Sequence, residues 1–367
     1  MSWNIRWSLG AARSFLLGAA GVSALVLASG SAGETSGKAS PGRVVVVTNK
    51  FELAVVKPDG TGLRTLTQRL PGINSPRWSP NGERVAFVRD APNRWSPKAP
   101  IYLIGADGRG LDRVATGHGP RWSPDGRRLM FVDVSGLKGS PTGKPVTGRI
   151  VVLDIVSGRR RVVGRGDTPA WSPDGKRIAF MRYTYDHVMR EWDVDSSSLL
   201  TMRADGSDVR VIVGPGQQAL YSPEWSPDGR RIAVYAQDLG GAGEGNVKLV
   251  DPKTGVTRQL VSPDIGDWTE VGWSPDASEL AFIEHGDAVA VVQVETGNPK
   301  ILIEKARPEF DPVVRWSPNG QQVGFSRCTG ANFQRCTVYA VSLKGSRPRR
   351  LTRTGFGVRD GFDWGRS

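Results

Sequence analysis

The sequence predicts an all-β protein, a seven-bladed β-propeller of four-stranded antiparallel blades. Three observations lead to this prediction: a short recurring phrase, its spacing, and complementary half-repeats at the two ends of the chain. The phrase is Trp-Ser-Pro followed by Asp or Asn and, in most copies, by Gly. It begins at Trp78, Trp122, Trp171, Trp225, Trp273 and Trp316, with a truncated copy at Trp364. Successive tryptophans are 44, 49, 54, 48, 43 and 48 residues apart, which is a typical blade period.

Each copy of the phrase predicts the turn between the first two strands of a blade. Pro presets φ, Asp or Asn bonds its own backbone, and Gly accepts a positive φ. The next strand, residues 178–181 in the third copy, is apolar at every position, so we expect both of its faces to be buried. A second turn at residues 106–108 separates a third strand, residues 101–104, from a fourth, residues 111–115.

The two ends of the chain predict how the ring closes. Residues 43–48, 52–56 and 63–67 have the pattern of second, third and fourth strands without a first strand. The segment around Trp364 is a first strand without its continuation. Together they complete one blade and leave no exposed sheet edge at the closure. We therefore expect six internal blades and one shared blade, with rings of six or eight as the alternatives.

The repeats resemble those of the TolB-type propeller family, whose WD-like repeats carry Trp-Ser-Pro-Asp-Gly. The resemblance covers residues 43–367 and implies a propeller fold. TolB itself has a sizeable domain ahead of its propeller and is usually six-bladed, whereas here a short linker precedes the first strand. The resemblance therefore extends to the propeller and not to the whole partner-binding protein of the Tol system.

The N-terminus reads as an export signal. Residues 1–32 carry Arg6 and Arg13 and no acid, and an apolar run of 14 residues, 15–28, is followed by small residues. That run is shorter than the roughly 20 residues of a membrane-spanning helix, although an uncleaved anchor is the alternative. Residues 33–42 form a flexible Gly/Ser-rich linker, and residues 43–367 form the propeller. We expect a periplasmic, cell-surface or secreted protein.

The formal net charge of +13 constrains the partners. Removal of the signal takes away two arginines and leaves +11, spread over the blades. A basic exported propeller could bind anionic wall polymers or lipid headgroups, or simply have a solvated basic surface. We expect a monomer without a nucleic-acid partner, and membrane contact only if the signal is retained. The two cysteines, Cys328 and Cys336, flank a short loop and are predicted to form a disulfide.

One face of the propeller is the expected binding surface. The loops from second to third strands and from fourth to first strands emerge together around one channel opening, here named the channel-mouth face. Aromatic and charged residues interrupt the repeat in these loops, as is typical of interface hot spots. The candidate binding residues are Trp95, Tyr183, Tyr185, His187, Arg190, Trp192, Tyr221 and Trp268. The alternative is that these side chains cover the blade ends.

The channel itself offers two further groups of candidates. The residue before a repeat tryptophan should face the channel, and the charged ones are Arg77, Arg121, Glu224, Arg315 and Asp363. They could bind an anionic ligand or pair with one another. Propeller lyases of the oligogalacturonate class, which have similar repeats, hold a metal with a histidine cluster. The three histidines here, His118, His187 and His285, lie in different blades without ligand spacing, so we expect no metal and no cofactor.

The motifs favour binding over catalysis. The chain has no Gly-x-Ser-x-Gly nucleophile elbow, and propeller-containing prolyl oligopeptidases need a hydrolase domain that we do not expect here. The sequence therefore predicts an exported, non-catalytic binding platform for an envelope protein or an anionic glycan. The alternative is a metal-dependent polysaccharide lyase or hydrolase that acts at the channel mouth.

Overall fold

The structure is a computed structural model that describes most of the chain from residue 40 onwards. The described residues are 40, 42–48, 50–90, 98–135, 147–185, 194–239, 245–265, 271–284, 288–304, 310–329, 335–345, 347–352 and 361–366. Within these ranges, no helix has the length and apolar character needed to cross a membrane. The chain contacts group residues 39–367 into one compact unit, which is the propeller.

In the part of the chain that the structure describes, twenty-eight strands form seven four-stranded antiparallel sheets, each of which is one blade. Blade 1 contains β1 (Arg43–Val47), β2 (Leu53–Val56), β3 (Arg64–Thr65) and β28 (Phe362–Gly365). Blades 2 and 3 contain β4 (Ile73–Trp78), β5 (Arg84–Arg89), β6 (Pro100–Gly105), β7 (Asp112–Thr116), β8 (His118–Trp122), β9 (Arg128–Asp133), β10 (Arg149–Asp154) and β11 (Arg160–Arg165). Blades 4 and 5 contain β12 (Asp167–Trp171), β13 (Arg177–Tyr185), β14 (Val194–Arg203), β15 (Arg210–Val213), β16 (Gln218–Trp225), β17 (Ile232–Asp238), β18 (Gly245–Val250) and β19 (Thr257–Ile265). Blades 6 and 7 contain β20 (Gly272–Trp273), β21 (Glu279–Glu284), β22 (Ala288–Gln293), β23 (Pro299–Ile303), β24 (Phe310–Trp316), β25 (Gln322–Thr329), β26 (Arg335–Ser342) and β27 (Arg349–Arg350).

The ring closes through the two ends of the chain, as predicted. The C-terminal strand β28 pairs antiparallel with β1, with Val45 opposite Asp363, and the sheet order is β28-β1-β2-β3. The prediction of six internal blades and one shared blade is confirmed, and the alternatives of six or eight blades are wrong.

The core consists of apolar layers between neighbouring blades. Second strands are buried on both faces, and Ile178 and Phe180 are fully buried, as their uninterrupted apolar sequence predicts. A phenylalanine nine residues after the repeat tryptophan occupies the same buried position in five blades. These residues are Phe87, Phe131, Phe180, Phe282 and Phe325. The apolar periodicity therefore determines which strands are sandwiched between sheets.

The turn phrase owes its geometry to hydrogen bonds within the phrase. Ser123 donates its hydroxyl to Asp125 (Oγ–Oδ1 2.5 Å), and the same Asp125 oxygen accepts the backbone N–H of Arg127 (3.1 Å). Gly126 then adopts a φ of 69°, which favours glycine. The Trp273 copy has Ala277 at this position with a φ of 62°. The turn carboxylates are thus engaged by their own turns.

The repeat tryptophans also connect neighbouring blades. The indole N–H of Trp122 donates to the carbonyl of Arg77 in the preceding blade (3.1 Å), and Trp273 bonds the carbonyl of Glu224 in the same way (3.1 Å). The acceptor is the residue before the preceding tryptophan, so the bond repeats with the phrase. Trp171 and Trp316 form equivalent bonds. The indole N–H groups of Trp78 and Trp225 are buried with no hydrogen-bond acceptor among the described residues.

Candidate functional site

A cavity of about 370 Å³ lies in the central channel, where the first strands of the blades converge. Its lining includes residues from the first strands of blades 2, 3, 4, 5 and 7. They are Ser75, Arg77, His118, Gly119, Arg121, Asp167, Thr168, Pro169, Ser222 and Val313, with Val132 and Val134 from β9 and the residues after it. Because His118 and Asp167 begin their strands, the cavity reaches the channel-mouth face.

A recurring bulge shapes the wall of this cavity. In blades 2 to 5 the pairing between first and second strands shifts register three residues before the repeat tryptophan. The residue at the shift has a positive φ in each case: Ser75 (50°), Gly119 (58°), Thr168 (45°) and Ser222 (47°). Glycine adopts this conformation readily, but a β-branched threonine does so rarely. Three strained residues therefore surround one cavity, a pattern typical of functional sites.

Two ion pairs join the charged residues that line the channel. Arg121 in blade 3 contacts Glu224 in blade 5 (Nη2–Oε1 2.6 Å), with both side chains about three-quarters buried. The corresponding residue of the intervening blade is Ala170, whose small side chain leaves this path open. Arg315 contacts Asp363 (Nε–Oδ1 3.4 Å), and both are largely buried. These four predicted channel residues are thus brought together as pairs.

Asp363 and Arg77 have additional roles at the ring closure. The second carboxylate oxygen of Asp363 accepts the backbone N–H of Trp78 (2.8 Å), so this aspartate joins blade 1 to blades 2 and 7. Arg77 donates to the carbonyl of Pro76 (3.0 Å), and its side chain lines the cavity. The charged residues before the repeat tryptophans therefore have two effects. Asp363 stabilises the closure of the ring, and Arg77 contributes positive charge to the cavity.

Asp167 is the functional candidate that the sequence interpretation missed. Burial raises the pKa of Asp167 from its ordinary 3.8 to about 6, while a hydrogen bond from the backbone N–H of Gly148 acts in the opposite direction. Asp167 shares the cavity with His118, Arg77 and Arg121. The sequence did contain a signal for the bulge beside Asp167. Blades 2 to 5 all have a proline two residues before the repeat tryptophan, and the bulge directly precedes that proline.

The predicted aromatic binding residues are only partly described. Tyr183 and Tyr221 are half-buried, and their rings lie 5.7 Å apart. Tyr221 in turn lies 6.0 Å from the ring of the buried Tyr235, so the pair packs on the interface of blades 4 and 5. Other candidates lie outside the described residues: Trp95, His187, Arg190, Trp192 and Trp268, and the side chain of Tyr185. Their role in binding stays a prediction.

The structure describes part of the predicted metal and cysteine sites. Of the three histidines, only His118 is described, while His187 and His285 lie outside. Within the described residues, no three His, Cys, Asp or Glu side chains cluster closely enough to hold a metal ion. Cys336 is disulfide-bonded, and the sheet register sets Cys328 directly opposite it across β25 and β26.

Solved structures with a similar fold include TolB and puromycin-hydrolysing enzymes. TolB from Acinetobacter baumannii aligns over 77% of this chain and 66% of its own length, with 20% identity and a TM-score of 0.52. A puromycin hydrolase aligns over 88% of this chain and 54% of its own (17% identity, TM-score 0.59). A puromycin-hydrolyzing peptidase from Mycobacterium tuberculosis aligns over 84% and 50% (17% identity, TM-score 0.59).

These likenesses concern the fold. The chain spans between half and two thirds of the length of these three proteins. No family model matches the sequence. The resemblance to a TolB-type propeller, predicted from the repeats, is confirmed at the level of the fold. Since the same fold occurs in TolB and in peptidases, the function must be argued from the site.

Proposed function

We propose that this chain is an exported, non-catalytic binding protein that presents its channel-mouth face to an envelope protein or an anionic glycan. The observation that carries the proposal is the central cavity, where Arg77, Arg121 and His118 line a space of about 370 Å³. That volume suits a carboxylate-bearing side chain or a single sugar acid rather than a whole partner. The cavity would therefore hold one anionic group of a larger ligand, while the surrounding loops contact the rest.

The charges of the cavity support an anionic ligand. Arginine recognises carboxylates through two parallel N–H···O bonds, and two arginines, Arg77 and Arg121, line the same cavity. Glu224 offsets the charge of Arg121, and Arg77 and His118 line the same cavity. Asp167 lines the same cavity, and its carboxyl is neutral below its pKa of about 6. The cavity is therefore more positive at a pH below 6.

Backbone strain at the cavity supports a binding role as well. Residues such as Thr168 and Ser222 hold a positive φ that costs about 1–3 kcal/mol each. Both residues lie in first strands and line the cavity. A preformed cavity of this kind lowers the cost of ordering the site when a ligand binds.

The test is affinity capture of envelope protein, glycan and lipid with residues 33–367 as bait. The double variant Arg77→Gln/His118→Gln should bind the captured partner at least about a hundredfold more weakly, because two hydrogen bonds to charged groups contribute about 1.5–3 kcal/mol each. Arg161→Gln, on the outer strand β11, is the matched control and should capture as much as the unchanged bait.

Two results would redirect the proposal. A partner that is lost with Trp192→Ala/Trp268→Ala but kept by the cavity variant would place recognition in the loops alone. Equal capture by all baits would contradict a specific binding face altogether.

The second candidate is a metal-dependent polysaccharide lyase or hydrolase at the same channel mouth. One observation favours it: a histidine and a carboxyl with a pKa near 6 line the same cavity, and such a carboxyl can exchange a proton close to neutral pH. This candidate requires that an acidic polysaccharide is shortened and that Asp167→Asn abolishes the cleavage. It also requires stoichiometric bound metal that is lost on His187→Ala.

A further inference from the structure

The face opposite the channel mouth carries the turns from first to second and from third to fourth strands, and we name it the turn face. Blades 1 and 7, which meet at the ring closure, bring a cluster of basic residues to this face. We name it the seam patch. Its members are Arg43, Lys57, Arg64, Lys344, Arg347, Arg349, Arg350 and Arg366. All are exposed except Arg43, which is half-buried.

The seam patch is strongly unbalanced in charge. Its eight cations are accompanied by a single carboxylate side chain, Asp59, in the turns of blades 1 and 7 on this face. The corresponding turns of the other five blades carry seventeen cations and thirteen carboxylates. The excess positive charge of the propeller is therefore concentrated at the seam.

The one carboxylate of the seam patch is already engaged by its own turn. Asp59 accepts hydrogen bonds from the hydroxyl of Thr61 (2.6 Å) and from its backbone N–H (2.8 Å). The Thr61 hydroxyl is the largest cause of the lowered pKa of Asp59, and the nearby charges of Lys57 and Arg349 add to it. Within the described residues, none of the eight cations forms an ion pair.

Carbonyl oxygens hold several of the seam cations in place. Arg350 donates to the carbonyl of Thr352 (Nε–O 2.6 Å), Arg43 donates to that of Gly82 (Nη2–O 3.2 Å), and Arg64 donates to that of Ala106. A carbonyl orients a guanidinium group but leaves its positive charge in place. The seam patch is thus an ordered array of charge available to an external anion.

Blade 4 shows the opposite arrangement on the same face. Asp208 accepts from Arg177 and from Arg210 (both 2.8 Å). These two hydrogen bonds are the main reason that the pKa of Asp208 is lowered to about 2. The positive charge of this blade is therefore largely neutralised within the protein.

Two further features match a lipid surface. Leu63, next to Arg64 in the sequence, has 46% of its surface exposed, so the seam patch includes an exposed apolar side chain. The chain also enters the propeller on this same face, because Arg43 of the seam patch begins β1. Clusters of four to eight Lys or Arg are typical of protein surfaces that attract anionic lipid headgroups.

We propose that the seam patch docks the propeller on an anionic lipid bilayer, with the channel-mouth face directed away from the membrane. The attraction comes from several unneutralised cations that lie within about one Debye length, roughly 10 Å, of lipid phosphates, and it weakens with salt. This inference is independent of the channel-mouth proposal, because it concerns other residues on the opposite face.

The test is co-sedimentation of the full chain with vesicles of phosphatidylglycerol and phosphatidylcholine in equal parts, compared with pure phosphatidylcholine. The seam variant is Lys57→Gln/Lys344→Gln/Arg347→Gln/Arg349→Gln, which spares the three arginines bonded to carbonyls. We expect at least about a tenfold loss of binding to the anionic vesicles, and a similar loss for the unchanged chain at high salt.

A matched control separates this patch from net charge. Arg127→Gln/Arg161→Gln/Lys176→Gln/Lys253→Gln removes the same charge from exposed positions on the turn face of blades 3, 4 and 5. It should bind at least half as well as the unchanged chain, and residues 1–42 contribute equally to every variant. Equal losses for both variants, or equal binding to neutral vesicles, would overturn the proposal. Binding to soluble polyphosphate but not to vesicles would overturn it in favour of a soluble polyanion.

Discussion

The channel and the seam patch are both rich in arginine, yet their charges are arranged in opposite ways. In the channel, Arg121 and Arg315 pair with Glu224 and Asp363 on other blades. In the seam patch, carbonyl oxygens hold cations such as Arg350, and the only carboxylate is bound by its own turn. The difference teaches that the location of carboxylates, more than the number of arginines, decides whether charge stabilises the fold or remains available to a ligand.

The largest expected effect is at the ring closure, where the channel charges are structural. Asp363→Ala removes the acceptor of the Trp78 N–H and the ionic partner of Arg315 inside a largely buried site. It should lower the free energy of unfolding by about 3 kcal/mol, measured by urea denaturation. Arg349→Gln in the seam patch should change it by less than about 0.5 kcal/mol. Similar urea midpoints for Asp363→Ala and Arg349→Gln would mean that the channel charges stabilise the fold no more than the charges of the seam patch do.

The second prediction concerns Asp167, a channel carboxyl whose ionised form is destabilised by burial. The pKa of Asp167 in the folded protein, about 6, exceeds its ordinary value of 3.8. With respect to this group the folded state is therefore most stable below pH 3.8, and this stability is lost as the pH rises through 6. Asp167→Asn should therefore stabilise the protein by about 3 kcal/mol near pH 8 and by almost nothing near pH 4.

A turn aspartate provides the control for this pH dependence. Hydrogen bonding, first from the Ser172 hydroxyl, lowers the pKa of Asp174, so its ionised form is the favoured one in the fold. Asp174→Asn should accordingly destabilise the protein at neutral pH. If Asp167→Asn were destabilising across the whole pH range, burial would not be what controls this carboxyl.

The smallest expected effect comes from a comparison of two repeat tryptophans, one whose indole N–H is hydrogen-bonded and one whose indole N–H has no acceptor among the described residues. Trp122→Phe removes a hydrogen bond to the Arg77 carbonyl, whereas Trp225→Phe removes a buried N–H that has no acceptor among the described residues. Both substitutions remove a similar apolar area, so the difference between them comes from the lost hydrogen bond. The Trp122 substitution should therefore cost about 1 kcal/mol more than the Trp225 substitution. Thermal unfolding of both variants measures this difference, and equal costs would mean that the indole bond contributes nothing.

The sequence by itself determined the architecture. Blade number, strand order, the turn phrase and closure through both ends were all predictable from the spacing of the tryptophans and from the apolar strands. The reason is that each blade is one sequence repeat, so the number of repeats sets the number of blades, and the complementary half-repeats at the two ends set the closure. Ser123, Asp125 and Gly126 form their turn from neighbouring residues, and the apolar run of β13 decides its burial without reference to the rest of the ring.

Only the tertiary structure decided which residues meet in the channel and where charge remains unbalanced. Arg121 and Glu224 lie two blades apart, and their contact depends on the small Ala170 between them and on the width of the ring. Asp167 shares a cavity with His118 because first strands from several blades converge there. The seam patch likewise exists because closure brings the two ends of the chain together. Such contacts depend on the radius of the ring and on the order of its blades, which no single repeat encodes.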